Sequence, residues 1–250
     1  DYESDILENI EFGLKSSFFD GRVVFNAVYY TMKWNDMQIE VVDPSNALGT
    51  FSVQDDNGDA LYGNIPFQIV VGNVGNATVK GFDFELKALV TENLEVGVNL
   101  TDIQDAYVDG QEFYDEPRAQ GGKVPSGLQA RSNLPLFADT SYYLYADYSG
   151  INIFGGEAGI RLQHSYVGDS LNQLTDGFTS PQRVQGDYDI TDAILSFESG
   201  DWQAQLRFSN LTDERGITYQ DTTDFDTVWG RNSSSVIRPR NYSLTVRKAF

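Results

Sequence analysis

The run Asp55-Asp56-Asn57-Gly58-Asp59 has the side chains of a cation loop. An EF-hand needs Gly at its sixth position and a bidentate Glu at its twelfth, and counted from Asp55 those positions hold Ala60 and Pro66. The spacing therefore describes a solvated acidic loop, and Asp221, Asp224 and Asp226 read the same way. No metal site or cofactor is expected. His164, the one His in the sequence, has Ser165 beside it and Asp169 nearby, the ingredients of a hydrolytic triad. A triad needs its members to converge, and adjacent residues of a strand point to opposite faces. The pair argues against an enzyme.

Composition narrows the classes further. The chain has 250 residues, with 37 Asp+Glu against 17 Lys+Arg for a formal charge of −20. Nucleic acid recruits clustered Lys and Arg, so no nucleic-acid partner is expected. With no Cys, disulfide frameworks, zinc-thiolate sites and Cys nucleophiles are excluded. No stretch approaches the roughly 18 apolar residues of a transmembrane helix. The start, Asp1-Tyr2-Glu3-Ser4-Asp5, lacks the features of a signal peptide, so the chain reads as mature, processed or a fragment. Hydropathy would say the same of a membrane β-barrel, whose alternating strands average out.

The elements that must position these residues are strands. Alternation of period two recurs, with Phe82, Phe84, Leu86 and Ala88 opposed to Asp83, Glu85 and Lys87, and Leu94, Val96, Val98 and Leu100 to Glu95, Gly97, Asn99 and Thr101. It returns in Ala158, Ile160, Leu162; in Trp202, Ala204, Leu206, Phe208; and in Tyr242, Leu244, Val246. Nine strands are read at 8–17, 22–38, 77–91, 94–105, 139–149, 153–166, 187–199, 202–211 and 237–250. Short links at 19–21, 92–93, 149–152 and 200–201 rotate with long ones at 39–76, 106–138, 167–186 and 212–236. The short ones carry hairpin residues such as Asp20-Gly21 and Ser149-Gly150. Tight turns at one end of a meander and long loops at the other fit an antiparallel up-and-down transmembrane β-barrel. Aromatics near the strand ends, including Phe18, Phe19, Trp202, Tyr242 and Phe250, suit interfacial girdles. Around 22–34 and 141–148 both parities are apolar or aromatic, and the inward face stays open. Elsewhere Glu11, Lys15, Asp83, Glu85, Lys87, Glu95, Arg161, Arg207 and Arg247 are expected to face inward.

Four stretches carry a resemblance. Asn76-Ala77-Thr78-Val79-Lys80-Gly81-Phe82-Asp83-Phe84-Glu85 is similar to an "N-x-x-x-x-G-hydrophobic-E-x-E" strand, with Asp83 where Glu is commoner. Asn210-Leu211-Thr212-Asp213 matches "N-L-T-D", and Arg238-Pro239-Arg240 followed by alternation to Phe250 matches an "R-P-R" entry with a C-terminal aromatic. Glu11 to Lys15 and Trp34 to Gln38 fit "E-x-G-x-K" and "W-x-D-x-Q". From about residue 8 to 250, in this order, the chain resembles the C-terminal part of a TonB-dependent outer-membrane receptor. The motif positions are Gly81, Glu85, Asn210, Leu211, Asp213, Arg238 and Pro239.

The resemblance implies a barrel of about 22 strands around a plug, so residues 1–250 would be its C-terminal portion, without plug, TonB box or the earlier strands. It implies active transport of a scarce nutrient (ferric siderophore, haem, cobalamin or a glycan) across the bacterial outer membrane, the alternative being a passive porin-like channel or a surface-exposed binding or phage-receptor scaffold. Implied partners are outer-membrane lipid and lipopolysaccharide, the rest of the barrel and the plug, the TonB complex, the barrel-assembly machinery and a small-molecule or glycan substrate. Phe250, with Tyr242, Leu244 and Val246 before it, resembles the barrel-assembly signal. An open sheet of nine strands leaves two unpaired edges, which lipid does not tolerate, so a fragment or one chain of a split barrel is expected. Aromatics and Arg dominate recognition surfaces, which points to Tyr114, Phe178, Tyr219, Trp229 and Arg231 in the loops as substrate contacts. The acidic excess in loops such as 43–59 and 212–226 is then the character of a cell-exterior surface.

Overall fold

The computed structural model describes residues 3–42, 50–54, 60–66, 69–73, 75–109, 131–172, 183–220 and 233–249, and among them every regular element is a strand. In chain order β1 (Ile6–Phe18) and β2 (Val23–Asn35) are followed by the short β3 (Gln38–Val42), β4 (Thr50–Gln54), β5 (Ala60–Pro66) and β6 (Ile69–Asn73). Next come β7 (Asn76–Leu89), β8 (Leu94–Asp109), the short β9 (Arg131–Asn133), β10 (Thr140–Ile153) and β11 (Gly156–Val167). The two-residue β12 (Ser170–Leu171) and β13 (Val184–Gln185) precede β14 (Tyr188–Ser199) and β15 (Trp202–Ser209). β16 (Ile217–Gln220), β17 (Ser234–Val236) and β18 (Asn241–Lys248) complete the chain.

The nine expected strands form one antiparallel sheet in the order β1-β2-β7-β8-β10-β11-β14-β15-β18, with β9 beside β8. Each long strand neighbours the next long strand in sequence, the meander expected from the rotation of short and long links. Among the described residues β1 and β18 pair on one side only. The long strands β1, β2, β7, β8, β10, β11 and β14 have 12 to 16 residues, beyond the ordinary soluble strand of about 5 to 6.

Four features differ from the sequence reading, three of them boundaries set by local geometry. The turn expected at 149–152 lies at Phe154 and Gly155, whose φ angles of 50° and 74° are those of a tight hairpin. Gly150, at φ 80°, instead accommodates a register shift between Tyr148 and Ile151, held by Asn93, whose Nδ2 donates to the Ser149 carbonyl at 2.9 Å. β2 stops at Asn35 because Asp36 takes φ 54° and donates its N–H to Asn76 Oδ1. The last strand begins at Asn241 rather than 237, since Arg238-Pro239-Arg240 forms a corner described below. Finally, the long links carry strands of their own: β3 pairs with β6, β4 with β5, β12 with β13 and β16 with β17.

Register decides the two ambiguous segments. Asn26 lies opposite Glu85 and Val28 opposite Asp83, so Val24, Asn26, Val28 and Tyr30 share the polar face while Phe25, Ala27 and Tyr29 share the other. Tyr143 lies opposite Asn99 and Asp147 opposite Glu95, which puts Tyr143, Tyr145 and Asp147 on the polar face and Tyr142, Leu144, Ala146 and Tyr148 on the apolar one. That second face is bare: Phe12 is 74% exposed, Leu162 49% and Leu244 68%. Among the described residues the buried apolar cluster is small, Met37, Ala77 and Val108 with Leu134 against it, and sits at the long-loop end. A sheet whose large apolar side chains are exposed while its core is this small is not arranged for water on both faces.

Candidate functional site

Register lines the polar side chains up in rows across the sheet. Lys15, Asn26, Glu85, Asn99, Tyr143 and Ser165 are directly opposite one another from β1 to β11. One step along, the row is Lys87, Gly97, Tyr145, Gln163 and Asp192. The next runs through Glu95, Asp147, Arg161, Ile194 and Arg207. Alternation then places Glu11, Asp83 and Arg247 on the same face, as expected for all nine charged residues singled out above.

These rows are stitched into one hydrogen-bonded ladder. Lys87 Nζ pairs with Glu95 at 2.9 Å, and Tyr145 donates to the same carboxylate at 2.8 Å. The Arg161 guanidinium lies over the Tyr145 ring, 4.2 Å from its centroid, and donates to Asp147 and to the Tyr143 hydroxyl. Tyr143 donates to Gln163, Gln163 to Asp192, and Arg207 to Asp192 at 2.7 Å. The ladder crosses β7, β8, β10, β11, β14 and β15. Nearer β1, Asn26 donates to Glu85, and Thr101 to Asp83. Glu85 is thus a rung of the polar face, and Gly81 lies under the Tyr30 ring, where an added Cβ would come 2.4 Å from the hydroxyl.

Asn210, Asp213 and Arg238-Pro239-Arg240 meet. Asn210 is buried at φ 52°, and its Nδ2 donates to the carbonyls of Glu214 and Arg238, both at 3.0 Å, while its Oδ1 accepts from the Glu214 N–H. Its own N–H donates to Asp192 Oδ1, which ties this corner to the ladder. The Leu211 N–H donates to the Thr191 carbonyl, and Asp213 accepts from the Arg240 N–H at 3.0 Å. Pro239, which has no N–H to satisfy, lies between the residue giving the carbonyl and the one giving the N–H. The two motifs are two sides of one corner, fastening the loop between β15 and β18.

At the loop end, Asn172 is 1% exposed and joins two hairpins. Its Oδ1 accepts from the Arg183 N–H at the start of the β12–β13 pairing, and its Nδ2 donates to the Gln220 carbonyl of β16 at 3.1 Å. Of the five proposed substrate contacts only Tyr219, in β16 and 40% exposed, falls among the described residues. Tyr114, Phe178, Trp229 and Arg231 lie outside them, as do Phe250 and the acidic residues of 55–59 and 221–226. Tyr242, Leu244 and Val246 share the apolar face of β18, and Lys248 lies on that face 5.1 Å from the Trp202 ring centroid.

His164 is on the apolar face, with Nδ1 2.9 Å from Thr191 Oγ1, whereas Ser165 is on the polar face opposite Tyr143. The two do not form a dyad. Sequence reasoning missed Tyr143, Tyr145, Gln163 and Asp192 as ladder members and Asn172 as a loop joint. Gly97 was the available signal: a residue without side chain in a strand marks a place where a neighbour comes close.

The family model described as TonB dependent receptor-like, beta-barrel matches residues 6–211. Solved structures match over nearly the whole chain. The ferric-catecholate import receptor Fiu from K12 E. coli, in its closed form, is 16% identical at a TM-score of 0.62, over 100% of this chain and 28% of that one. The ferric yersiniabactin uptake receptor FyuA from Yersinia pestis is 15% identical at 0.64, over 98% and 30%. The siderophore receptor PiuA from Acinetobacter baumannii is 16% identical at 0.62, over 97% and 28%. The chain spans under a third of the length of these structures. No curated protein matches it.

Proposed function

The chain belongs to the TonB-dependent receptor β-barrel family, and from that premise we propose that it is the C-terminal part of a barrel that carries a scarce nutrient across the outer membrane with energy from TonB. The observation that carries the reading is the division of the sheet into a bare apolar face and a polar face whose side chains pair with each other. Lipid would cover the first and a polar lumen would lie behind the second. The exposed edges of β1 and β18 would be closed by the earlier strands of the whole protein, because unpaired ladders in hydrocarbon each cost several kcal/mol per group, roughly.

Within this reading the polar ladder lines the path of cargo and faces the plug, while the hairpins joined by Asn172 present the outer surface. Lipopolysaccharide and lipid meet the apolar face, and Lys248 beside Trp202 suits the headgroup level. Ferric siderophore uptake is the leading class, supported by the names of the structural neighbours; haem, cobalamin and glycan are the other arms of the test. Deleting the full-length gene is expected to abolish growth on one limiting nutrient of these four classes, with rescue by the intact gene only while TonB is present. Rescue without TonB would replace active transport by a passive channel.

Assembly is a separate part of the proposal. Tyr242, Leu244 and Val246 form one stripe on β18 and Phe250 would complete it, so this strand is the part recognised by the barrel-assembly machinery. Removing Phe250 from the full-length protein should lower its surface level several-fold, measured by surface labelling; an unchanged level would refute the signal.

A further inference from the structure

We infer that the loop end of the sheet holds a binding site for a neutral, hydroxyl-bearing ring of monosaccharide size, centred on Gln185. A cavity of about 210 Å³ lies there, walled by Leu136, Val167, Ser170, Tyr188 and Ile217, with Gln185 in its lining. Gln185 is 3% exposed, and its Oε1 is buried without a hydrogen-bond partner among the described residues, although its Nε2 donates to Ser170 Oγ at 3.2 Å. Turning the amide over would exchange an orphan oxygen for an orphan NH₂, since the Ser170 hydroxyl can serve either end. One half of the amide is unpaired in both arrangements. A buried amide group left so is costly, and such groups in native folds have a partner.

The lining selects the chemistry of that partner. Among the described residues it holds no charged side chain, so a charged ligand would be desolvated there without compensation. It offers an amide and hydroxyls beside apolar walls, which suits a ring with hydroxyls at its edge and C–H groups on its faces. The volume equals about seven waters at roughly 30 Å³ each and falls below the span of about 300 to 1,000 Å³ typical for larger ligands. One ring fits, and an iron chelate with its charge and bulk does not. The site is separate from the siderophore path proposed above and rests on that reading only for the side from which the ligand arrives.

The test uses the purified full-length protein in detergent, with the methyl glycosides of glucose, galactose, mannose and N-acetylglucosamine and with myo-inositol as probes. Saturation-transfer NMR and calorimetry should detect at least one of them at about millimolar Kd, the range for a ligand of this size. Gln185→Leu is expected to weaken that binding by roughly tenfold or more. Ala138→Phe, which fills the cavity from another wall, should abolish it and keeps the test open where Gln185→Leu does not fold. No binding by any probe, or equal binding by wild type and Gln185→Leu, would reduce the cavity to a place for ordered water. Binding without nutrient uptake would leave this site standing and remove the transport reading; uptake with no saccharide binding would do the reverse.

Discussion

Asn210→Ala should destabilise the last hairpin by about 2 to 4 kcal/mol, the sum of three part-buried backbone groups left unpaired at roughly 0.5 to 1 kcal/mol each and about 1 kcal/mol for Ala in a left-handed conformation. The groups are the carbonyls of Glu214 and Arg238 and the N–H of Glu214, all bonded to this one side chain. Asn210→Asp should be no better, because it keeps the acceptor, loses both donors and adds a charge near Asp192. The measurement is urea unfolding of the full-length barrel in detergent, followed by the mobility difference between heated and unheated protein on a gel. A midpoint within error of wild type would show that the corner does not hold the hairpin.

Gly97→Val is the second large effect, and its sign runs against propensity. Val is among the best strand formers and Gly among the worst, so propensity alone predicts stabilisation of up to about 1 kcal/mol. A Cβ at Gly97 would lie 2.1 Å from Tyr145 Cε1 and 2.5 Å from Cζ, so the ring must leave. Its hydrogen bond to Glu95 and its stacking under Arg161 leave with it, and the ladder is cut between β8 and β11. Overpacking and the lost bonds together are expected to cost about 2 to 4 kcal/mol. In a Tyr145→Ala background the same change should be nearly neutral, and that coupling, read from the double-mutant cycle, is the check. Equal costs in both backgrounds would mean that Tyr145 is not the reason for Gly97.

These two positions also show how far the sequence could be read. Alternation placed the meander, because an apolar face and a polar face leave a period-two trace wherever one parity is uniformly charged, as in Asp83, Glu85 and Lys87. It was silent where aromatics stood on both parities, since Tyr142 and Tyr145 look alike until Leu100 and Gly97 stand opposite them. Asn210 and Asp213 were legible as a family pattern, but their bonds to Arg238 and Arg240 span 28 and 27 residues, and no local period encodes such a contact. The hairpins of the long links were missed because strands of two to seven residues are shorter than the window that reveals a period. Asn172 and Gln185 left no trace at all: a single polar residue looks the same in a solvated loop as in a buried joint.

Asn172 has a thermodynamic consequence. By bonding to Arg183 on one side and to Gln220 on the other, it makes two hairpins share one ordering step. A ligand that immobilises either hairpin then leaves less entropy to be lost when the other engages, so two contacts far apart in sequence bind with positive cooperativity although nothing between them changes shape. The same linkage works in reverse: whatever loosens one hairpin loosens the other.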